Sequence, residues 1–170
     1  MTRVAIVTAS DSGIGKTTAL MLAERGFDIG VTWHSDEKGA LGTCREVEAK
    51  GRRAEAVQLD LSTLPQGAQA IETLITRFGR LDVLVNNAGI VKDSLFASMS
   101  FDDFSQVVDT NLFSIFRLTK EALMLLRSAE SPAIINVASI AAIIPSVGQA
   151  NYSASKGAIL GFTRTLAAEL

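Results

Sequence analysis

The sequence predicts an α/β fold, a doubly wound parallel sheet in one domain over residues 1–170. Three observations predict it. Short apolar runs alternate with longer helical patterns, the arrangement that βαβ crossovers produce. The runs are near-continuous rather than alternating, as strands buried on both faces require. A length of 170 residues suits a single domain of roughly 100–200 residues, and no long linker, charge block or repeat interrupts it.

Arg3–Thr8 (RVAIVT) reads as the first strand and Gly13–Arg25 as the helix behind it, stopped by Gly26. Asp28–Trp33 (DIGVTW) is the second strand, followed by a helix over Glu37–Lys50 that ends at Gly51. Ala54–Leu59 (AEAVQL) is the third strand. Pro65–Phe78 is a helix with Pro65 in its first turn and Gly79 past its end, the usual asymmetry. Leu81–Val85 (LDVLV) is the fourth strand, and Phe101–Arg127 is mostly helical. Ala133–Ala138 (AIINVA) is the fifth strand, and Asn151–Leu170 is the last helix.

Composition narrows the function. Sixteen basic and eighteen acidic residues give a net charge of −2, without the basic footprint of a nucleic-acid binder. One cysteine, Cys44, excludes an internal disulfide framework, and with His34 as the only histidine a metal site is not expected. Cys44 reads as a packing residue and His34 as too isolated for catalysis. The four apolar residues Val4–Val7 are too few for a signal peptide, and no window approaches the roughly 18 apolar residues of a membrane span. A cytoplasmic protein bound neither to nucleic acid nor to membrane is expected.

Strand 1 runs into Thr8-Ala9-Ser10-Asp11-Ser12-Gly13-Ile14-Gly15, and a helix follows. Glycines there let the backbone approach a pyrophosphate, which the free N–H groups of the helix start attract. Two glycines alone suit a plain tight turn equally well; their placement between strand 1 and helix 1 favours the phosphate reading. Asp60-Leu61 follows strand 3, and read alone Asp60 is a helix N-terminal acid. Asn86-Asn87-Ala88-Gly89 follows strand 4, where a double asparagine at a buried strand end needs many hydrogen-bond partners. Tyr152 and Lys156 stand four residues apart, one helical turn, so they share a face. A lysine near a tyrosine favours phenolate and lowers its pKa from about 10, which lets the phenol give or take a proton. Ser139 lies at the end of strand 5, the edge at which doubly wound sheets hold ligands. Asn111, alone in a helix, is normally a solvated surface residue.

Together these segments resemble the short-chain dehydrogenase/reductase family, whose loop reads Thr-Gly-x-x-x-Gly-Ile-Gly. Thr8, Gly13, Ile14 and Gly15 match; Ala9 replaces the first glycine, a methyl that is tolerable if φ is negative there. The resemblance spans essentially the whole chain and implies a Rossmann-type sheet in the order 3-2-1-4-5. It further implies a cofactor site of Thr8, Ser10, Ser12, Gly13, Ile14, Gly15, His34, Ser35, Asp60, Leu61, Asn87, Ala88 and Gly89, with Tyr152 and Lys156. In this family Asp60 stands beside the adenine ring and Asn86–Gly89 lines the adenosine pocket. The catalytic tetrad would be Asn111, Ser139, Tyr152 and Lys156. Tyr152 is then general acid or base, and Lys156 tunes it and holds the nicotinamide ribose. Ser139 binds the substrate oxygen, and Asn111 anchors a relay water.

Trp33 stands where relatives that prefer NAD(H) carry an aspartate, so no acid repels a 2′-phosphate, and His34, Ser35 and Ser10 are candidates to contact it. Against this, the loop lacks a basic residue and Asp36 and Glu37 lie near. The charge argument favours NADP(H) over NAD(H). Asn136–Ser139 and Gly148–Lys156 look like 3-oxoacyl-carrier-protein reductases, suggesting a small keto or hydroxy substrate of 3-oxoacyl type. Ile90, Val91 and the apolar stretch Ala138–Gly148 read equally as pocket wall and as core packing. Arg117, Lys120 and Arg127 would form a basic patch for an acidic carrier or, more simply, a solvated helix face. The family pairs its last two long helices between subunits, which implies a homodimer or homotetramer.

Two other readings remain open: a nucleotide-binding sensor or scaffold without turnover, and an inactive fragment of an enzyme. Family members run to about 250 residues and continue with strands 6 and 7, which have no counterpart here. The chain stops at Ala167-Ala168-Glu169-Leu170 without a helix stop signal, so a C-terminally truncated chain is expected.

Overall fold

The computed structural model describes residues 2–63 and 69–170. Its sheet has five strands in the order β3-β2-β1-β4-β5: β1 (Arg3–Val7), β2 (Phe27–Trp33), β3 (Ala54–Gln58), β4 (Val83–Asn86) and β5 (Ala133–Asn136). This is the doubly wound order expected from the sequence. β1 lies at its centre, parallel to β2 with Ala5 opposite Ile29 and parallel to β4 with Ala5 opposite Val83. The helices between them are α1 (Gly13–Glu24), α2 (Glu37–Glu48), α3 (Gln69–Phe78), α4 (Phe101–Val108), α5 (Ser114–Ser128) and α6 (Ala150–Glu169). The expected start of the third helix at Pro65 lies outside the described residues.

Two compact units make up the chain. One holds the residues up to Ala88 together with Arg117–Ile135; the other holds Gly89–Phe116 with Asn136–Leu170. In the first unit Ile6 and Leu84 of the central strands pack with Ile71 and Leu74 of α3 and with Leu118, Ala122 and Leu126 of α5. Burying apolar side chains of this size is worth about 1.5–3 kcal/mol each, and this cluster fixes the sheet. Cys44 is buried on α2, and burial, with Glu48 and Glu55 nearby, pushes its thiol up to about 11. A thiol so protected from ionising is unreactive, in keeping with a packing role.

Asp82, just before β4, is buried and accepts from Arg80 Nε and Nη2, each at 2.7 Å, and from the Val4 N–H at 2.8 Å. Burial raises its pKa, but the Arg80 guanidinium and the Val4 N–H outweigh that and hold the carboxyl below its ordinary value. The bond to Val4 ties β1 to the approach of β4 at the end of the sheet opposite the glycine loop.

The single helix expected over Phe101–Arg127 is not continuous. α4 is capped by Ser100, whose hydroxyl accepts from the Asp103 N–H, and a π-helical turn over Asp109–Phe113 separates it from α5. The Ser114 hydroxyl donates to the Thr110 carbonyl within that turn. Hydrophobic spacing marks a helical face but does not distinguish i→i+4 from i→i+5 bonding, so the sequence pattern passes over the turn. β5 is also shorter than the expected Ala133–Ala138 and stops at Asn136, whose Nδ2 donates to Thr163 Oγ1 on α6. In the second unit α6 packs against α4 and the π turn. No helix among the described residues is long and apolar enough to cross a membrane.

Candidate active site

The expected site residues fall in both units. In the first, β1 ends at Val7 and the chain turns through Thr8–Ser12 into α1. Thr8 is fully buried; its hydroxyl donates to the Val85 carbonyl and accepts from the N–H groups of Asn87 and Ala88. Asn87 Nδ2 donates to the carbonyls of Thr8 and Ala9. The Thr8 hydroxyl and Asn87 Nδ2 therefore brace the loop. The two glycines act differently. Gly13 has φ +53°, a left-handed conformation that costs glycine little. Gly15 must be glycine for space, because a Cβ there would stand 2.0 Å from the Ala9 carbonyl oxygen.

Ser12 is exposed and precedes α1 without a side-chain cap, so no serine hydroxyl occupies the first N–H groups of that helix. Open donors, an exposed hydroxyl and the helix dipole suit a phosphate. Ile14 is exposed on the first turn. Ala9 overturns one expectation: its φ is +49°, not negative, a conformation that costs a residue with a Cβ about 1–2 kcal/mol.

Ser10 and Leu61 have buried side chains. The Ser10 hydroxyl donates to the Val7 carbonyl at 2.7 Å and accepts from the Thr32 N–H at 3.2 Å, and the residue is fully buried. It braces the loop and has no surface to offer a 2′-phosphate. The Leu61 side chain belongs to the apolar core, because a short 3-10 turn over Leu61–Thr63 rolls it inward. Asp60 accepts from the Ser62 N–H and hydroxyl, which hold its carboxyl below the ordinary value. His34 Nδ1 lies 3.7 Å from Asp60 Oδ1 in an exposed pair, and Ser35 beside it is exposed.

The second unit holds Gly89 and the four residues expected to form the tetrad. Asn111 sits in the π turn and is fully buried, not on a solvated face. Its Oδ1 accepts from the Ile90 N–H at 2.7 Å; its Nδ2 donates to the Ile90 carbonyl at 2.9 Å and to Ser155 Oγ at 3.1 Å. Gly89 stands against it, where a Cβ would be 3.1 Å from Asn111 Oδ1. Tyr152 and Lys156 lie on the first turns of α6. Lys156 is nearly fully buried, donates to the Val137 carbonyl at 2.7 Å, and has its Nζ 5.7 Å from the centre of the Tyr152 ring. Burial lowers the Lys156 pKa, and an ammonium has three donors, so capacity remains beyond the Val137 bond. Ser139 lies beyond the end of β5. It caps a 3-10 turn over Ile140–Ala142 by accepting from the Ala141 N–H, and its hydroxyl proton is not engaged by that bond.

Sequence reasoning missed Asn151. It is fully buried; its Oδ1 accepts from the Tyr152 N–H at 2.8 Å and its Nδ2 donates to the Lys92 carbonyl at 2.8 Å. It fastens the start of α6 to the loop after Gly89. Asparagine is common before helices, and that ordinary signal conceals the tertiary bond.

A family model described as short chain dehydrogenase matches residues 3–170. An uncharacterized oxidoreductase of Escherichia coli (strain K12) is 48% identical over 171 residues, covering all of this chain and 68% of that protein. The 3-oxoacyl-(acyl-carrier-protein) reductase of Synechocystis is 42% identical over 168 residues, covering 99% of this chain and 68% of that one. Among solved structures, acetoin dehydrogenase from Enterobacter cloacae is 60% identical with a TM-score of 0.96, covering 100% of this chain and 68% of that one.

Proposed function

The chain belongs to the short-chain dehydrogenase family, an NAD(P)-dependent oxidoreductase family, and on that premise we propose that it interconverts a small ketone and its secondary alcohol with Tyr152 as general acid and base. The observation that carries this reading is the buried Lys156, with its ammonium 5.7 Å from the Tyr152 ring centre. A cation held there attracts the negative charge that develops on the phenol oxygen as its proton leaves.

The uncapped start of α1, the exposed Ser12 hydroxyl and the side-chain-free Gly13 and Gly15 fit the phosphates of a dinucleotide. When bound, the nicotinamide supplies the hydride and takes it back in reverse. In reduction Tyr152 gives its phenolic proton to the carbonyl oxygen, and Ser139 donates a hydrogen bond to the same oxygen. Lys156 steadies the phenolate left behind and binds the nicotinamide ribose with its remaining donors. Asn111 holds the Ile90 backbone and Ser155 in place, and by the family resemblance it anchors the water that returns the proton.

We read the nucleotide as NADP(H). With Ser10 buried, this rests on Trp33 in place of an acid and on the exposed His34 and Ser35. A tighter dissociation constant for NADH than for NADPH would overturn it. The substrate reading is a small vicinal hydroxyketone or diketone of the acetoin class, because the solved acetoin dehydrogenase is 60% identical. A 3-oxoacyl thioester is the second reading, favoured by the 42% identical reductase and by the exposed Ile140, Ile143 and Ile144 beside Ser139. Initial rates with diacetyl, acetoin and an acetoacetyl thioester, each with NADPH and NADH, test both. Turnover of the thioester alone would displace the acetoin reading, and no turnover of any would favour a binding protein. Phe113 at the end of the π turn and Phe116 on α5 are exposed, which supports a homodimer or homotetramer through the long helices. A monomer at all micromolar concentrations on size exclusion would contradict it.

A further inference from the structure

Ala9 is held in a backbone conformation that an alanine avoids, and the restraints on it are visible. Among the described residues it alone, apart from glycines, has positive φ. Its N–H donates to Thr32 Oγ1 at 3.1 Å, and its carbonyl accepts from Asn87 Nδ2 at 3.1 Å. The next residue is tied to the same threonine: the Ser10 N–H donates to the Thr32 carbonyl at 2.9 Å, and the Thr32 N–H donates to Ser10 Oγ at 3.2 Å. Thr32, near the end of β2, is fully buried, so water does not compete for these bonds.

We propose that Thr32 is a positioning residue of the dinucleotide site: its hydroxyl holds Ala9 left-handed and so sets the loop that receives the phosphates. The proposal rests on reading that loop as the dinucleotide site. Left-handed Ala9 places its carbonyl oxygen in the space that a Gly15 Cβ would occupy, 2.0 Å from that ideal position. The Ala9 conformation, the bare backbone at Gly15 and the start of α1 are thus one interlocked arrangement. Released from Thr32, Ala9 would relax toward negative φ, carry its carbonyl away from Gly15 and disturb the N–H groups at the helix start. A valine has the shape of threonine but cannot accept the Ala9 N–H. Asn87 serves the Thr8 carbonyl as well, so its removal would report on more than Ala9, whereas the Thr32 hydroxyl acts on Ala9 directly.

The test is a double-mutant cycle on Thr32→Val and Ala9→Gly, with Thr32→Ser as the conservative control. Dissociation constants for NADPH and NADH are measured by nucleotide fluorescence, alongside a thermal melt of each variant. Thr32→Val is expected to weaken both nucleotides roughly tenfold, the factor to which the left-handed cost of an alanine corresponds, and equally, since both share the pyrophosphate. Thr32→Ser is expected to bind as the parent does. In the Ala9→Gly background, where left-handed φ costs little, the same Thr32→Val change is expected to weaken binding by less than about threefold. Equal losses in both backgrounds, or no loss in either, would overturn the proposal. Should Thr32→Val alone fail to fold, a double variant that folds supports it and one that fails equally overturns it. Should the parent bind neither nucleotide, the dinucleotide reading fails instead, and the melts still decide whether Thr32 restrains Ala9.

Discussion

The two units of this protein differ in what lies inside them. The first buries Ile6, Ile29, Ile71, Leu74, Leu84 and Leu118 almost completely, and its glycine loop is shaped by backbone bonds to Thr8, Thr32 and Asn87. The second buries Thr110, Asn111, Ser114, Asn151, Ser155 and Lys156 while leaving Phe96, Phe101, Ile143 and Val147 between 73% and 87% exposed. In the first unit apolar packing supplies stability and the glycine loop is a backbone shape. In the second, hydrogen bonds among buried polar groups hold Asn111, Asn151 and Lys156 in place. Such a network is costly when broken, because each orphaned group has no water to turn to.

A pair of truncations probes the difference most strongly. Leu84→Ala, in the sealed core of the first unit, should cost about 2–5 kcal/mol of stability. Val147→Ala, on the surface of the second, should stay within about 0.5 kcal/mol. Urea denaturation of both variants measures this, and similar losses would erase the contrast between the units.

The pH dependence of stability sharpens it further. Asp82 in the first unit has a folded pKa depressed below its ordinary value. Its contribution is therefore present above the unfolded pKa of about 3.9 and is lost as pH falls through the lower folded value. Urea midpoints of the parent should drop as pH is lowered through that range. Asp82→Asn should start from a lower midpoint at neutral pH and lose less on acidification. Parallel pH curves for the two would show that the Arg80–Asp82 pair contributes nothing. The smallest expected effect is at the loop. Ala9→Gly relieves a left-handed alanine, worth about 1–2 kcal/mol, against an added chain entropy of about 0.5–1 kcal/mol. A rise in the thermal midpoint of a few degrees is expected, and a fall would mean that Ala9 carries no strain.

The same contrast governs what was legible in the sequence. The apolar runs at Arg3–Val7, Phe27–Trp33 and Val83–Asn86 announce their burial, because a strand covered on both faces has little choice of residue. Gly13 and Gly15 are legible too, since few other residues fit where they stand. The sign of φ at Ala9 was not, because it depends on partners that β2 and the Asn87 loop bring from 23 and 78 residues away. Ser10 and Leu61 look like surface contacts in a motif, yet the fold turns both inward. In the second unit the residue types at Asn111, Ser139, Tyr152 and Lys156 are readable, but their setting is not. The π turn beneath Asn111 and the 3-10 turn capped by Ser139 leave hydrophobic spacing almost unchanged.

The central claim is that Tyr152 moves the proton while the glycine loop receives the nucleotide's phosphates. Turnover and nucleotide binding of Tyr152→Phe, measured side by side with diacetyl and NADPH, test it most directly. Turnover is expected to fall by about 10²–10⁴-fold with the NADPH dissociation constant within about threefold of the parent. A variant that keeps its turnover, or one that loses NADPH binding as completely as turnover, would contradict it.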